Sequence, residues 1–305
     1  MSNEYYSRGK LLITGEYFVL EGATAFAVPL RIGQSMAVDY LDDNLGDLTW
    51  ETTVRNEFWF KAVYCISSLD AKSAIDIKSA IYIQRLLQNI KKRSNVFGNK
   101  NSSLHIKTNI EFPVEWGFGS SSSLISNLAY WSDLDPFNLL FQTSKGSGYD
   151  IACARSNCPI LYQNQGKPTV KEIDFNPQFL DKIYFVFLGK KQNSLESVEK
   201  YWGRIKEHKS EIHRISAISE SIIRSNTLDE FENYIIDHES IISKSIDLPT
   251  IKSQLFSDFD GTVKSLGAWG GDFAMVTHKG SSDYVYSYFK AKGLSTIFPY
   301  KELVL

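Results

Sequence analysis

Residues 104–131 constrain the fold more than any other stretch. An alternating run at 104–110 passes Pro113 into Gly117-Phe118-Gly119-Ser120-Ser121-Ser122, after which an apolar, helix-like run occupies 124–131. Glycines at such a strand-to-helix junction let the backbone approach another group closely. The first turn of the helix carries unpaired N–H donors and a partial positive charge, so the junction is a ready anion site. The same letters also fit serine N-capping without any ligand. Two better-known phosphate loops are excluded: GxxxxGK[ST] has no match, and GxGxxG fails because Ser122 stands at its third glycine.

The flanking chain reads as mixed α and β. Residues 10–20 predict two strands around a tight turn at Gly15, residues 23–40 a further β stretch with Pro29 at an edge or bulge, and residues 48–60 another strand. Ile83, Leu86, Leu87 and Ile90 recur at i, i+3, i+4 and i+7 and are followed by Lys91, Lys92 and Arg93, the pattern of an amphipathic helix with cations in its last turn. Asp135-Pro136 reads as an N-cap and first-turn proline. Strands are expected at 160–163, 169–175 and 183–188. A mainly helical stretch follows to about 246, and then strand, helix, strand at 273–277, 281–291 and 295–298.

At 305 residues the chain is long enough for two domains. The boundary is expected near residue 180, giving domains 1–180 and 181–305 without a flexible tether. Thirty-three Lys and Arg against 35 Asp and Glu leave no overall basic field to attract nucleic acid or an anionic membrane. Glu4, Arg8, Lys10 and Glu16 interrupt any signal-peptide core, and no run approaches the apolar length of a membrane span. Cys65, Cys153 and Cys158 form no CxxC pair and read as small buried residues. These features predict a cytoplasmic protein with reduced thiols.

Three segments together resemble the superfamily of galactokinase, homoserine kinase, mevalonate kinase and phosphomevalonate kinase, the GHMP kinases. Residues 9–20, Gly-Lys-Leu-Leu-Ile-Thr-Gly-Glu-Tyr-Phe-Val-Leu, are similar to the first family motif in its glutamate-tyrosine variant. Residues 113–122 are similar to the PxxxGLGSSA phosphate loop, and residues 267–272, Gly-Ala-Trp-Gly-Gly-Asp, to the glycine-rich third motif.

The resemblance implies an α+β, two-domain GHMP kinase fold, with an N-terminal ribosomal-protein-S5-like α/β domain that binds ATP and a C-terminal ferredoxin-like α+β domain. It implies ATP and Mg2+ as cofactors, a small-molecule acceptor, and a monomer or homodimer. Gly117, Gly119, Ser120, Ser121 and Ser122 would hold the nucleotide, with Ser121 at the position of a magnesium ligand. Lys10 would stabilise the transferring phosphoryl group, and Asp150, in Gly146-Ser147-Gly148-Tyr149-Asp150, would accept or orient the acceptor proton. Glu16, Tyr17, Ser147, Gly148, Lys190, Ser194, Gly270, Gly271 and Asp272 are the candidate acceptor-binding residues.

One departure stands out. Where mevalonate kinases carry a glutamate as a second magnesium ligand, residues 138–142 read Asn-Leu-Leu-Phe-Gln, with no acid. Lys190 and Lys191, after a predicted strand and before a helix, would suit an acceptor that already carries phosphate. A phosphomevalonate-type acceptor is therefore expected ahead of mevalonate, then a sugar or a homoserine-like alcohol. A non-catalytic binding or regulatory protein with the same fold, and a decarboxylase that first phosphorylates its substrate, are the other readings.

Overall fold

The computed structural model describes residues 3–43, 45–97, 102–144, 146–189, 194–267, 269 and 271–305, with the backbone alone described for 194–199. In chain order the strands and helices are β1 (Asn3–Thr14), β2 (Ala25–Leu41), β3 (Asp47–Val54), β4 (Glu57–Cys65), β5 (Ala71–Ala74), α1 (Ile77–Lys91), β6 (Ser103–Ile110), α2 (Ser120–Ser132), α3 (Pro136–Thr143) and α4 (Tyr149–Ala154). They continue with β7 (Ile160–Asn164), β8 (Pro168–Glu172), β9 (Ile183–Phe187), α5 (Ser194–Glu207), α6 (Lys209–Ile222), α7 (Leu228–Ile246), α8 (Ile251–Leu255), β10 (Thr262–Leu266), β11 (Phe273–Thr277), α9 (Ser282–Ala291), β12 (Ile297–Pro299) and α10 (Tyr300–Leu303). The chain divides into two compact units, one of Met1–Gly9, Ile32–Val114 and Phe118–Arg155, the other of Lys10–Arg31, Glu115–Gly117 and Ser156–Leu305.

In the first unit the strands lie in the order β5-β4-β3-β6-β2, antiparallel except for the parallel β3–β6 pair. The expected single strand at 48–60 is two, because Arg55 and Asn56 both adopt positive φ and close a β3–β4 hairpin. The predicted stripe Ile83, Leu86, Leu87 and Ile90 packs on the sheet residues Val38, Leu48, Trp50 and Ile106, and Leu124 and Leu128 of α2 join the same core. Asp76 caps α1 by accepting from Ser79 N–H, and Asp135 caps α3 by accepting from Asn138 N–H.

In the second unit, β2 residues 25–27 pair with β7, which pairs with β8. A separate antiparallel sheet has the order β10-β11-β9-β12. With α5 to α8 between β9 and β10, and α9 between β11 and β12, this is the β-α-β-β-α-β plan of a ferredoxin-like fold. Its core joins Tyr184, Val186, Val263, Ala274 and Val276 of the sheet to Ile251, Val285 and Phe289 of the helices. The mixed α+β architecture expected from the sequence is present. No helix among the described residues is long and apolar enough to cross a membrane.

The second strand expected within 10–20 is absent. β1 stops at Thr14, and Phe18–Glu21 form a turn of 3-10 helix that buries Phe18 and Val19. Its β-like letters reflect burial rather than pairing.

Candidate active site

In the first unit, α2 begins after Gly119, which holds φ 91° and offers no side-chain cap. The serine-capping alternative therefore fails: the cap residue has no side chain, and Ser122 Oγ instead donates to Gly119 O at 2.8 Å while nearly buried. The helix end is fixed from behind by buried polar contacts. Ser123 Oγ donates to Gln34 Oε1 at 2.7 Å, Asn127 Nδ2 to Gln34 O at 2.8 Å, and Ser7 Oγ to Ser126 Oγ at 2.8 Å. Such bonds in a low-dielectric interior hold a helix at one depth.

Ser120 is half-buried and Ser121 exposed, so of the three serines Ser121 is the most open to a ligand. The Ser121 hydroxyl hydrogen-bonds the Tyr82 hydroxyl of α1. Burial raises the Tyr82 pKa, Ser121 opposes this, and the neighbouring Asp150 carboxylate raises it further. Asp150 lies half-buried in the first turn of α4, which Gly148 enters at φ 95°, and Ile151 N–H donates to Asp150 Oδ1 at 3.0 Å. Ser147 is buried beside it in sequence.

In the second unit, Lys10 Nζ donates to Gly117 O at 3.0 Å. Gly117 has φ 67°, and a Cβ there would lie 1.9 Å from Asp272 Oδ2, so a side chain would be strained and would have to displace that carboxylate. Leu188 N–H donates to Asp272 O at 2.9 Å, which ties the third glycine-rich segment to the end of β9. The ring of Trp116 packs on Phe187, Phe273 and Phe298. Lys10, Gly117 and Asp272, drawn from three separate motifs, thus meet.

Glu16 and Tyr17 are buried rather than open to a ligand. Tyr17 sits at φ 60° and ψ −47°, with Phe18 N–H donating to Glu16 O at 2.6 Å, a positive-φ γ-turn of a rare and strained kind. Tyr17 Oη accepts Trp269 N–H at 2.8 Å, and burial pushes its pKa well up. Glu16, 2% exposed, pairs with Lys264 of β10, which is fully buried. Glu239 Oε1 lies 3.6 Å from the same ammonium.

Next along α7, His238 Nε2 accepts Gly15 N–H at 2.9 Å, so its proton resides on Nδ1. Burial and then Lys264 hold the His238 pKa well below its usual value, and the ring is neutral. Burial raises Glu16 against the pull of Lys264, and pushes Glu239 up to about 8. Burial thus favours the uncharged forms of Glu16, Glu239 and His238, while Lys264 pulls the two carboxyl groups the other way.

Of the other candidate residues, Lys190 and Gly270 lie outside the described residues, as does the side chain of Ser194, which opens α5. Gly271 is buried. Sequence reasoning missed Tyr82, which sits just off the apolar stripe of α1, and the charged partners Lys264, His238 and Glu239. The charged partners carry no local signal, because each is buried by residues distant in sequence.

Among the described residues no group of three or more His, Cys, Asp or Glu is placed to hold a metal ion. Magnesium asks less than that, since it binds few protein groups and keeps waters and phosphate oxygens. Ser121, which hydrogen-bonds Tyr82, and Asp150, whose charge acts on the same Tyr82, are hard oxygen donors that fit such a demand. Of the acids near the 138–142 stretch, Asp135 caps α3 and Asp133 ends α2 at φ 54°.

No protein-family model matches the sequence, and no curated protein matches it. Solved structures do match its fold. Streptococcus pneumoniae phosphomevalonate kinase, in complex with phosphomevalonate and AMPPNP, is 15% identical with a TM-score of 0.71, over 98% of this chain and 99% of that one. L. major mevalonate kinase in complex with R-mevalonate is 16% identical with a TM-score of 0.63, over 97% and 94%. Lactococcus lactis galactokinase complexed with galactose is 13% identical with a TM-score of 0.62, over 99% and 93%. The chain has the GHMP kinase fold, and at these identities the likeness is one of fold.

Proposed function

We propose that the chain is an ATP-dependent small-molecule kinase, with a phosphomevalonate-type acceptor ahead of mevalonate and then of a sugar or homoserine-like alcohol. The observation that carries this is the start of α2. A glycine without a capping side chain opens the helix, and an exposed serine hydroxyl beside it joins, through Tyr82, the neighbourhood of the Asp150 carboxylate. Uncapped first-turn N–H groups and the helix dipole favour the phosphates of a nucleotide.

Phosphoryl transfer depends mainly on positioning and on neutralising oxygen charge. The 117–122 loop holds the donor phosphates. Lys10, whose ammonium donates to the carbonyl of Gly117, takes the role of stabilising the group in transfer, a reading its contact with the glycine-rich segment supports. Asp150 orients the acceptor hydroxyl or phosphate oxygen and takes its proton where one is present. Magnesium, when bound, adds neutralisation of phosphate charge, with Ser121 and Asp150 as its protein oxygens. The Asp272 carboxylate fills the space that a side chain at position 117 would need. Glu16 and Tyr17 act on the acceptor side by holding their turn rather than by touching the acceptor. The reaction suits a cytoplasmic enzyme.

The test is ADP release with magnesium-ATP against mevalonate, 5-phosphomevalonate, galactose and homoserine. Turnover with 5-phosphomevalonate supports the full proposal, and turnover with another acceptor supports a kinase of different specificity. ATP binding without turnover on any of the four favours a non-catalytic binding protein.

A further inference from the structure

Tyr82 is the one hydroxyl of α1 that meets the phosphate-loop helix. Its ring packs against the hydrophobic core of the first unit, which leaves the hydroxyl as its only polar group. That hydroxyl meets Ser121 Oγ, and Asp150 faces it closely enough to act on its charge. We infer that Tyr82 is a positioning residue for the nucleotide-metal site, orienting the Ser121 hydroxyl so that it presents a lone pair to the cation held by the bound nucleotide. The inference rests on the nucleotide-binding proposal above.

The chemistry follows from the hydroxyl inventory. A serine has one O–H and two lone pairs, and an exposed serine left alone rotates among its rotamers. The Tyr82 phenol carries one O–H and stands in hydrogen-bond contact with Ser121 Oγ. It can therefore donate its proton to Ser121 Oγ, which occupies one lone pair and fixes the direction of the other. A neutral donor does this without adding negative charge beside Asp150. Residues 138–142 supply no acid, so orientation of the single hydroxyl ligand carries more of the metal's binding than it would in a site with two carboxylates.

Isothermal titration with AMPPNP, with and without Mg2+, tests this on wild type, Tyr82→Phe, Ser121→Ala and the double variant, and needs no acceptor. Phenylalanine keeps the ring in the core, and thermal unfolding checks that it does. The magnesium-dependent gain in AMPPNP affinity is expected to fall about fivefold in each single variant, the worth of one hydrogen bond, and no further in the double. Affinity without Mg2+ is expected to stay unchanged in Tyr82→Phe. A Tyr82→Phe protein with the wild-type magnesium gain, with equal losses in both arms, or with an effect that adds to Ser121→Ala overturns the inference and leaves the nucleotide proposal standing. Wild-type protein that binds no AMPPNP under either condition overturns both.

Discussion

The phenol oxygen of Tyr17 accepts the backbone N–H of Trp269 at 2.8 Å, across 252 positions of sequence. It joins the strained turn that follows β1 to the glycine-rich segment before β11, and so holds two of the three motifs in one register. Tyr17→Phe leaves a buried N–H without its partner. The expected loss is about 1–3 kcal/mol of stability, measured by urea unfolding, and an unchanged midpoint would show that water replaces the phenol.

Lys264 and Glu16 form a second tie between the same regions. Removing one partner strands the other charge in the interior, so Lys264→Met is expected to cost about 3–5 kcal/mol. Lys264→Met combined with Glu16→Gln should recover much of that loss, because the pair's energy is not additive. Equal destabilisation by the single and the double variant would contradict the coupling.

Stability should depend on pH through this cluster. Glu239 is held up to about 8 from an ordinary 4.5, so the folded state keeps a proton that the unfolded state releases. Stability therefore falls as pH rises between those values, by about 1.4 kcal/mol per unit. Glu16 is shifted in the same direction. His238 is depressed below 6.5, so its own contribution rises with pH up to 6.5 and is then complete. Below 6.5 the rise from His238 offsets only part of the fall from the two carboxyl groups, and from about 6.5 to 8 the Glu239 fall runs without that offset. Urea melts at half-unit steps should show it, and Glu239→Gln should flatten it.

Gly117 carries a prediction of its own. Its φ of 67° and the 1.9 Å approach of Asp272 Oδ2 to a Cβ make Gly117→Ala costly, by about 1–3 kcal/mol through backbone strain and displacement of the carboxylate. Adding Asp272→Ala should relieve the overlap but not the strain. Thermal melts of the single and double variants separate the two contributions.

The sequence made the helices legible where one face alone is apolar, as in Ile83, Leu86, Leu87 and Ile90. It made the 117–122 junction legible because its glycines have local reasons to be there. β10 left no alternation to read: all five of its residues are buried, and three of them, Thr262, Lys264 and Ser265, are polar. Residues 17–20 read as strand because strands and buried 3-10 turns use the same apolar letters, and the positive φ of Tyr17 has no glycine to announce it. The buried charges could not be found locally, since Lys264 meets Glu16 from 248 positions away. Each looks like a surface residue until the fold brings its partner.

Turnover of Lys10→Met and Asp150→Asn beside wild type, with magnesium-ATP and whichever acceptor the wild type uses, tests the central claim most directly. Both variants are expected to keep the wild-type unfolding free energy to within about 1 kcal/mol and to lose turnover by two or more orders of magnitude, roughly the 10²–10⁴ that one acid-base or charge-stabilising group contributes. Near-normal turnover in either variant, or ADP release that no acceptor stimulates in the wild type, would contradict it.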